Sequence, residues 1–64
     1  MIKANDILDI KGKKMFFDTF EVVNAGANVF SIIGFNYGER ERKFVGYASD
    51  VAEWLNGYFG LRGE

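Results

Sequence analysis

The chain has 64 residues, of which 48% are hydrophobic, with a formal net charge of −1 and neither cysteine nor histidine. A chain of this length forms a single domain, residues 1–64, that buries only about 60% of its unfolded surface. The missing residue types exclude disulfides, thiolate or histidine zinc sites, and the most common general base of enzymes.

No segment of the sequence has the pattern of a membrane-spanning helix or of a signal peptide. A membrane helix needs about 20 consecutive apolar residues, and no apolar run approaches that length. The N-terminal stretch MIKANDILDI has a single lysine and no uninterrupted apolar core. The absence of cysteine agrees with a reducing compartment. We therefore expect a cytoplasmic protein that makes no use of a membrane.

The first element lies in residues 5–11, where the sequence leaves two interpretations open. Asn5 is a suitable N-cap, and Asp6 is favourably placed against the dipole of a helix that begins there. The alternative is an edge strand, with Leu8 and Ile10 on one of its faces. The capping pattern slightly favours the helix.

Three segments rich in aromatic and β-branched residues predict an antiparallel meander, around which the rest of the chain is arranged. The predicted strands are residues 15–24, 29–37 and 42–47. Both connections, at 25–28 and 38–41, contain a glycine that suits a turn with positive φ. The third strand is the least secure of the three, because a register slip of one residue would exchange the faces of its side chains.

A trial register for the first hairpin, with Val23 opposite Val29, places apolar side chains on both faces of the meander. One face carries Met15, Phe17, Val23, Val29, Ile33, Phe35, Val45 and Tyr47, and the other carries Phe16, Phe20, Val22, Phe30, Ile32 and Phe44. A solvated face of an antiparallel sheet is normally polar. We therefore expect the second face to meet another copy of the chain, as in a homodimer, or an unidentified protein partner.

Residues 50–59 predict an amphipathic helix, which begins near Asp50 and has apolar residues at helical spacing. These apolar residues are Val51, Trp54, Leu55, Tyr58 and Phe59. Gly57 offers an early end for the helix and Gly60 a later one. The expected fold is α+β: a three-stranded meander, this helix on one of its faces, and a short N-terminal helix or edge strand.

The meander is expected to bring six of the eight basic residues to one end of the sheet as a basic rim. They are Lys11, Lys13, Lys14, Arg40, Arg42 and Lys43. The candidate aromatic residues for an interface or for stacking on bases are Phe35, Tyr37, Tyr47 and Tyr58. The competing interpretation is a solvated turn whose Glu39 and Glu41 prevent edge pairing, and the acidic sequence pI favours it.

No residue pattern carries a recognisable catalytic, metal-binding or cofactor-binding chemistry. Asp18 stands among phenylalanines in the predicted first strand, and we interpret it as structural rather than as a general acid. The leading prediction is a non-catalytic binding or regulatory protein that acts through protein–protein contacts and self-associates through an apolar sheet face. The alternative is a dimeric module that binds single-stranded DNA or RNA through the basic rim and the sheet aromatics.

Overall fold

The fold is α+β, with one antiparallel sheet and two helices, in a computed structural model that describes residues 1–10 and 14–60. In chain order the elements are α1 (Ala4–Leu8), β1 (Lys14–Phe17), β2 (Phe20–Gly26), β3 (Val29–Asn36), β4 (Glu39–Tyr47) and α2 (Ala48–Phe59). The sheet has four strands in the order β1-β2-β3-β4, so each strand pairs with its neighbour in the chain. The sequence predicts three strands, and the fourth comes from dividing the first of these.

The predicted strand at residues 15–24 is two strands, because the chain reverses direction at Asp18 and Thr19. Asp18 has a φ of 56°, in the left-handed region that aspartate tolerates better than most residues. β1 and β2 consequently pair as a hairpin in which Phe17 lies opposite Phe20. Asp18 is an exposed turn residue and does not lie within a strand among aromatic rings.

The hairpin of β2 and β3 is displaced by two residues from the trial register, since Val23 pairs with Ser31 rather than with Val29. A displacement of two residues leaves every side chain on its predicted face, because side chains alternate with a period of two. β1 is the exception. Because the chain reverses direction between β1 and β2, Phe16 is on the face of Val23, whereas Met15 and Phe17 are on the opposite face.

β4 begins at Glu39 rather than at residue 42, because the preceding turn is short. Tyr37 and Gly38 form that turn with φ values of 53° and 83°, the combination that closes a tight two-residue hairpin. The register between β3 and β4 shifts by one residue at Lys43. This extra residue of β4 has no partner in β3 and forms a bulge.

Both helices pack on the same face of the sheet, which we name the helix face. The core there is formed by Ile7, Ile10, Phe20, Val22, Phe30, Ile32, Ala48, Val51, Ala52 and Leu55. The N-terminal element is therefore a helix, with Lys3 rather than Asn5 at its N-cap position. The residues that precede α1 are held by Asn56 of α2. Its side chain accepts a hydrogen bond from the Ile2 N–H at 2.8 Å and donates one to the Ile2 carbonyl at 2.7 Å.

α2 begins at Ala48, two residues before the predicted start. Asp50 lies inside the helix as the residue whose carboxylate accepts a hydrogen bond from the Tyr47 N–H at 3.2 Å. The helix continues through Gly57 and ends at Gly60, which has a φ of 68°. Within residues 1–10 and 14–60, neither helix is long and apolar enough to cross a membrane.

Candidate functional site

The second face of the sheet carries neither helix, and we name it the open face. Strand register and alternation place on it Lys14, Phe16, Glu21, Val23, Val29, Ser31, Ile33, Phe35, Arg40, Arg42, Val45 and Tyr47. Several of its apolar side chains are well exposed, with 60% of Phe16, 47% of Phe35 and 62% of Tyr47 accessible. The open face therefore presents large aromatic surfaces next to cationic side chains.

The pleat of β4 separates the charges that alternate along residues 39–42. Arg40 lies opposite Phe35 and Arg42 lies opposite Ile33, so both arginines are on the open face. The two glutamates of this segment belong to the helix face, because successive side chains of a strand point to opposite sides. Among the described residues, the open face thus has three cations against one carboxylate.

That carboxylate belongs to Glu21, which is buried at the middle of the open face with 1% of its surface accessible. Lys14 approaches it from β1, with 3.2 Å between Nζ and Oε2. Arg40 approaches from β4, with 3.0 Å between Nη2 and Oε1. Burial raises the pKa of Glu21, but the hydrogen bonds and charges of Lys14 and Arg40 outweigh it, so its pKa lies below the ordinary value of 4.5. Glu21 is therefore ionised at neutral pH and fixes two of the three cations.

The residues predicted for a basic rim lie in different places. Lys14, Arg40 and Arg42 are spread over the open face, because the additional hairpin turns β1 around and moves Lys14 away from the β3–β4 turn. Lys43 belongs to the helix face, where its Nζ lies 3.0 Å from Glu41 Oε1. Lys11 and Lys13 lie outside the described residues. The basic group is therefore a patch across the open face rather than a rim at one end.

The four nominated aromatic residues are also divided. Phe35 and Tyr47 are on the open face. Tyr37 is in the β3–β4 turn and fully exposed, while Tyr58 is on α2, where its ring is parallel to that of Trp54 with 5.5 Å between their centroids. Only the first two thus lie on the surface that carries the arginines.

Sequence reasoning missed three residues of the open face: Phe16, Glu21 and Ser31. Phe16 was predicted on the wrong face because the Asp18 turn was not recognised. Glu21 could have been recognised from the sequence, because a charged residue inside the apolar run FEVV is expected to be either exposed to solvent or paired with an opposite charge. Nothing in the sequence shows that its partners come from β1 and β4.

The described residues contain no group of three or more His, Cys, Asp or Glu side chains that are arranged to hold a metal ion. Neither a protein-family model, nor a curated protein, nor a solved structure matches this chain.

Proposed function

We propose that this protein is a non-catalytic binding protein that binds single-stranded nucleic acid across the open face of its sheet. The observation that supports this function is the alternation along β4, which places Arg40 and Arg42 on the face of the exposed aromatic rings and directs Glu39 and Glu41 to the other side. Proteins that bind single strands combine cations that follow the phosphates with aromatic rings on which bases stack. This reverses the order of the two functions that the sequence predicts.

The net charge of −1 does not oppose this function, because the acidic residues are concentrated away from the open face. Asp6 is in α1 and Asp9 directly follows it, while Asp50 and Glu53 are in α2. Salt screens interactions between exposed charges beyond about 8 Å at physiological ionic strength. A strand on the open face therefore experiences mainly the cations beside it.

A single strand fits this surface better than a duplex does. Recognition of duplex DNA commonly places a helix with basic or polar side chains in the major groove. The longer helix, α2, contains Asp50 and Glu53 and no lysine or arginine. The aromatic rings of the open face, in contrast, can stack only on bases that are unpaired.

Self-association or binding of a protein partner through the same face is the second candidate function. The exposed apolar side chains favour it, since 46% of Val45 and 62% of Tyr47 are accessible. A two-fold dimer with its open faces in contact, however, brings the cations of one copy close to those of the other. That repulsion places this function second.

Binding is tested with a fluorescently labelled oligothymidylate or oligouridylate of about 10 nucleotides, by fluorescence polarisation over a range of salt concentrations. Arg42→Gln should weaken binding by about 1 kcal/mol, or roughly fivefold, and should reduce the slope of log K against log salt by about 0.7. Tyr47→Ser should weaken binding by about 1–3 kcal/mol if a base stacks on this ring.

Each variant has a matched control on the opposite face. Lys43→Gln removes the same charge from the adjacent residue, and Tyr58→Ser removes the same side chain from α2. Neither control should change the affinity by more than about twofold. Equal effects of Arg42→Gln and Lys43→Gln would contradict the proposed surface, and so would the absence of binding at low salt. Light scattering tests the second candidate, which predicts a dimer without any oligonucleotide.

A further inference from the structure

The open face contains a polar group that the fold itself does not use, the hydroxyl of Ser31. Ser31 is in the middle of β3 with 2% of its surface accessible, between Val23 of β2 and Val45 of β4 in register. Its Oγ is buried and has no hydrogen-bond partner among the described residues. A buried hydroxyl without a partner reduces stability, so its position among valines requires an explanation other than packing.

Ser31 lines a depression of about 500 Å³ on the open face, together with Val23, Ile33, Arg40 and Arg42. Arg40 is held in place by Glu21 through one nitrogen, which leaves further N–H groups of its guanidinium for a ligand. Arg42 is exposed and forms no ion pair with another residue of the described ranges. Its side chain is therefore free to reorient over a bound group.

Three of the polar side chains that line this depression, those of Ser31, Arg40 and Arg42, can donate hydrogen bonds to a ligand. A guanidinium has five N–H donors and no acceptor, and a serine hydroxyl rotates to donate. Asn24 and Glu41 also border the depression. The Asn24 oxygen accepts from the Gly26 N–H at 2.9 Å, and the Glu41 carboxylate belongs to the helix face, where it is paired with Lys43 at 3.0 Å. The matching ligand is an oxyanion, which only accepts hydrogen bonds and suits arginine forks in particular.

We propose that this depression is a phosphate site, in which one phosphate of the bound strand accepts hydrogen bonds from the Ser31 hydroxyl and from the guanidinium groups of Arg40 and Arg42. The proposal rests on the proposed function, since the phosphate belongs to that strand. In this proposal the Ser31 hydroxyl contributes to binding and lowers the stability of the unliganded protein. Such a trade-off between stability and function is common at functional sites.

The test is Ser31→Ala, measured for both stability and affinity. Removing a hydroxyl that has no partner should raise the midpoint of thermal unfolding by about 5 °C. The same change should weaken binding of the labelled oligonucleotide by about tenfold, because a hydrogen bond to a charged oxygen is lost. Ser49→Ala is the matched control, since Ser49 is exposed in the first turn of α2, and it should change neither quantity. Ser31→Cys, which has a somewhat larger side chain and a weak donor, should bind more weakly than the wild type and more tightly than Ser31→Ala.

The outcomes separate this proposal from the proposed function. If Ser31→Ala is more stable but binds as tightly as the wild type while Arg42→Gln binds weakly, the phosphate site is wrong and the proposed function stands. If Ser31→Ala is less stable, the hydroxyl has a structural partner and the proposal also fails.

If no oligonucleotide binds, the proposed function fails, and inorganic phosphate then tests the site alone. The site is supported if phosphate causes saturable shifts of the amide resonances of residues 31 and 42 in the wild type but not in Ser31→Ala. Equal shifts in both proteins, or no shift in the wild type, overturn it.

Discussion

Arg40 reaches across β3 to the carboxylate of Glu21 on β2, with 3.0 Å between Arg40 Nη2 and Glu21 Oε1. The two residues belong to strands that are not neighbours in the sheet. Lys14 meets the same carboxylate from the other side, at 3.2 Å. One buried carboxylate therefore links β1, β2 and β4 on the open face, and it holds two cations of the proposed binding surface in fixed positions.

Replacing Glu21 by glutamine should reduce the acid dependence of stability. Burial raises the pKa of this carboxyl, but Lys14 and Arg40 outweigh that effect and lower it below the ordinary value of 4.5. The folded chain therefore binds this proton less readily than the unfolded chain does. Its contribution to stability is fully present above the ordinary value and is lost as the pH falls through the lowered value.

The measurement is thermal unfolding of the wild type and of Glu21→Gln from neutral to acidic pH. At neutral pH the wild type should have the higher midpoint, and the difference should narrow once the pH falls below 4.5. Glu39→Gln is the control, since Glu39 is exposed on the helix face of β4. A difference that stays constant down to strongly acidic pH would show that the charge of Glu21 does not stabilise the fold.

Substitutions at Asp18 should test the turn that divides the first predicted strand. Its φ of 56° is in the left-handed region, which costs about 1–2 kcal/mol for most L-residues and nothing for glycine. We expect Asp18→Val to lower the free energy of unfolding by about 1–2 kcal/mol and Asp18→Gly to keep or raise it. Urea denaturation measures both. Thr19→Val is the control, because Thr19 is exposed in the same turn without a positive φ.

Asp18 also shows which part of the fold the sequence predicts and which part it does not. The apolar and β-branched pattern correctly indicated an antiparallel sheet and an amphipathic C-terminal helix, while the N-terminal element stayed open between a helix, slightly favoured, and an edge strand. The turn at Asp18 and Thr19 contains neither glycine nor proline, the residues by which a turn is most easily recognised in a sequence. An aspartate alone does not distinguish a turn from a strand. One unrecognised turn therefore changed the strand count and exchanged Met15, Phe16 and Phe17 between the faces.

Of the candidate site, the sequence correctly predicted that Phe35 and Tyr47 share a face, whereas it placed Arg40 and Arg42 in a rim at one end of the sheet. Arg42 and Tyr47 are five residues apart in β4, so alternation alone would put them on opposite faces, and the extra residue Lys43 brings them to the same one. The contact between Lys14 and Glu21 depends on the register between strands, which the trial pairing did not reproduce. Long-range pairing of this kind is decided by packing across the whole sheet and not by neighbouring residues in the chain.

A larger side chain at Gly46 should destabilise the fold, because β4 and α2 approach each other closely there. A Cβ atom at Gly46 would lie 3.0 Å from Asp50 Cβ and 3.1 Å from the ring of Phe44. Asp50 lies in the first turn of α2 and Phe44 is partly buried against the core, so a Cβ atom here requires the helix or the ring to shift. Gly46→Ala should therefore lower the free energy of unfolding by about 1–3 kcal/mol, as measured by urea denaturation.

Gly34→Ala is the matched comparison for this close approach, since Gly34 lies in the adjacent strand and also faces the helix side. A Cβ atom there would lie 2.7 Å from Lys43 Cε and 3.2 Å from Lys43 Cγ, so the whole of this exposed, flexible side chain has to turn aside. We expect Gly34→Ala to cost less than half as much as Gly46→Ala, because only the latter requires the helix or the ring to shift. Equal costs for the two variants would mean that the packing of α2 against β4 adapts as easily as an exposed lysine does.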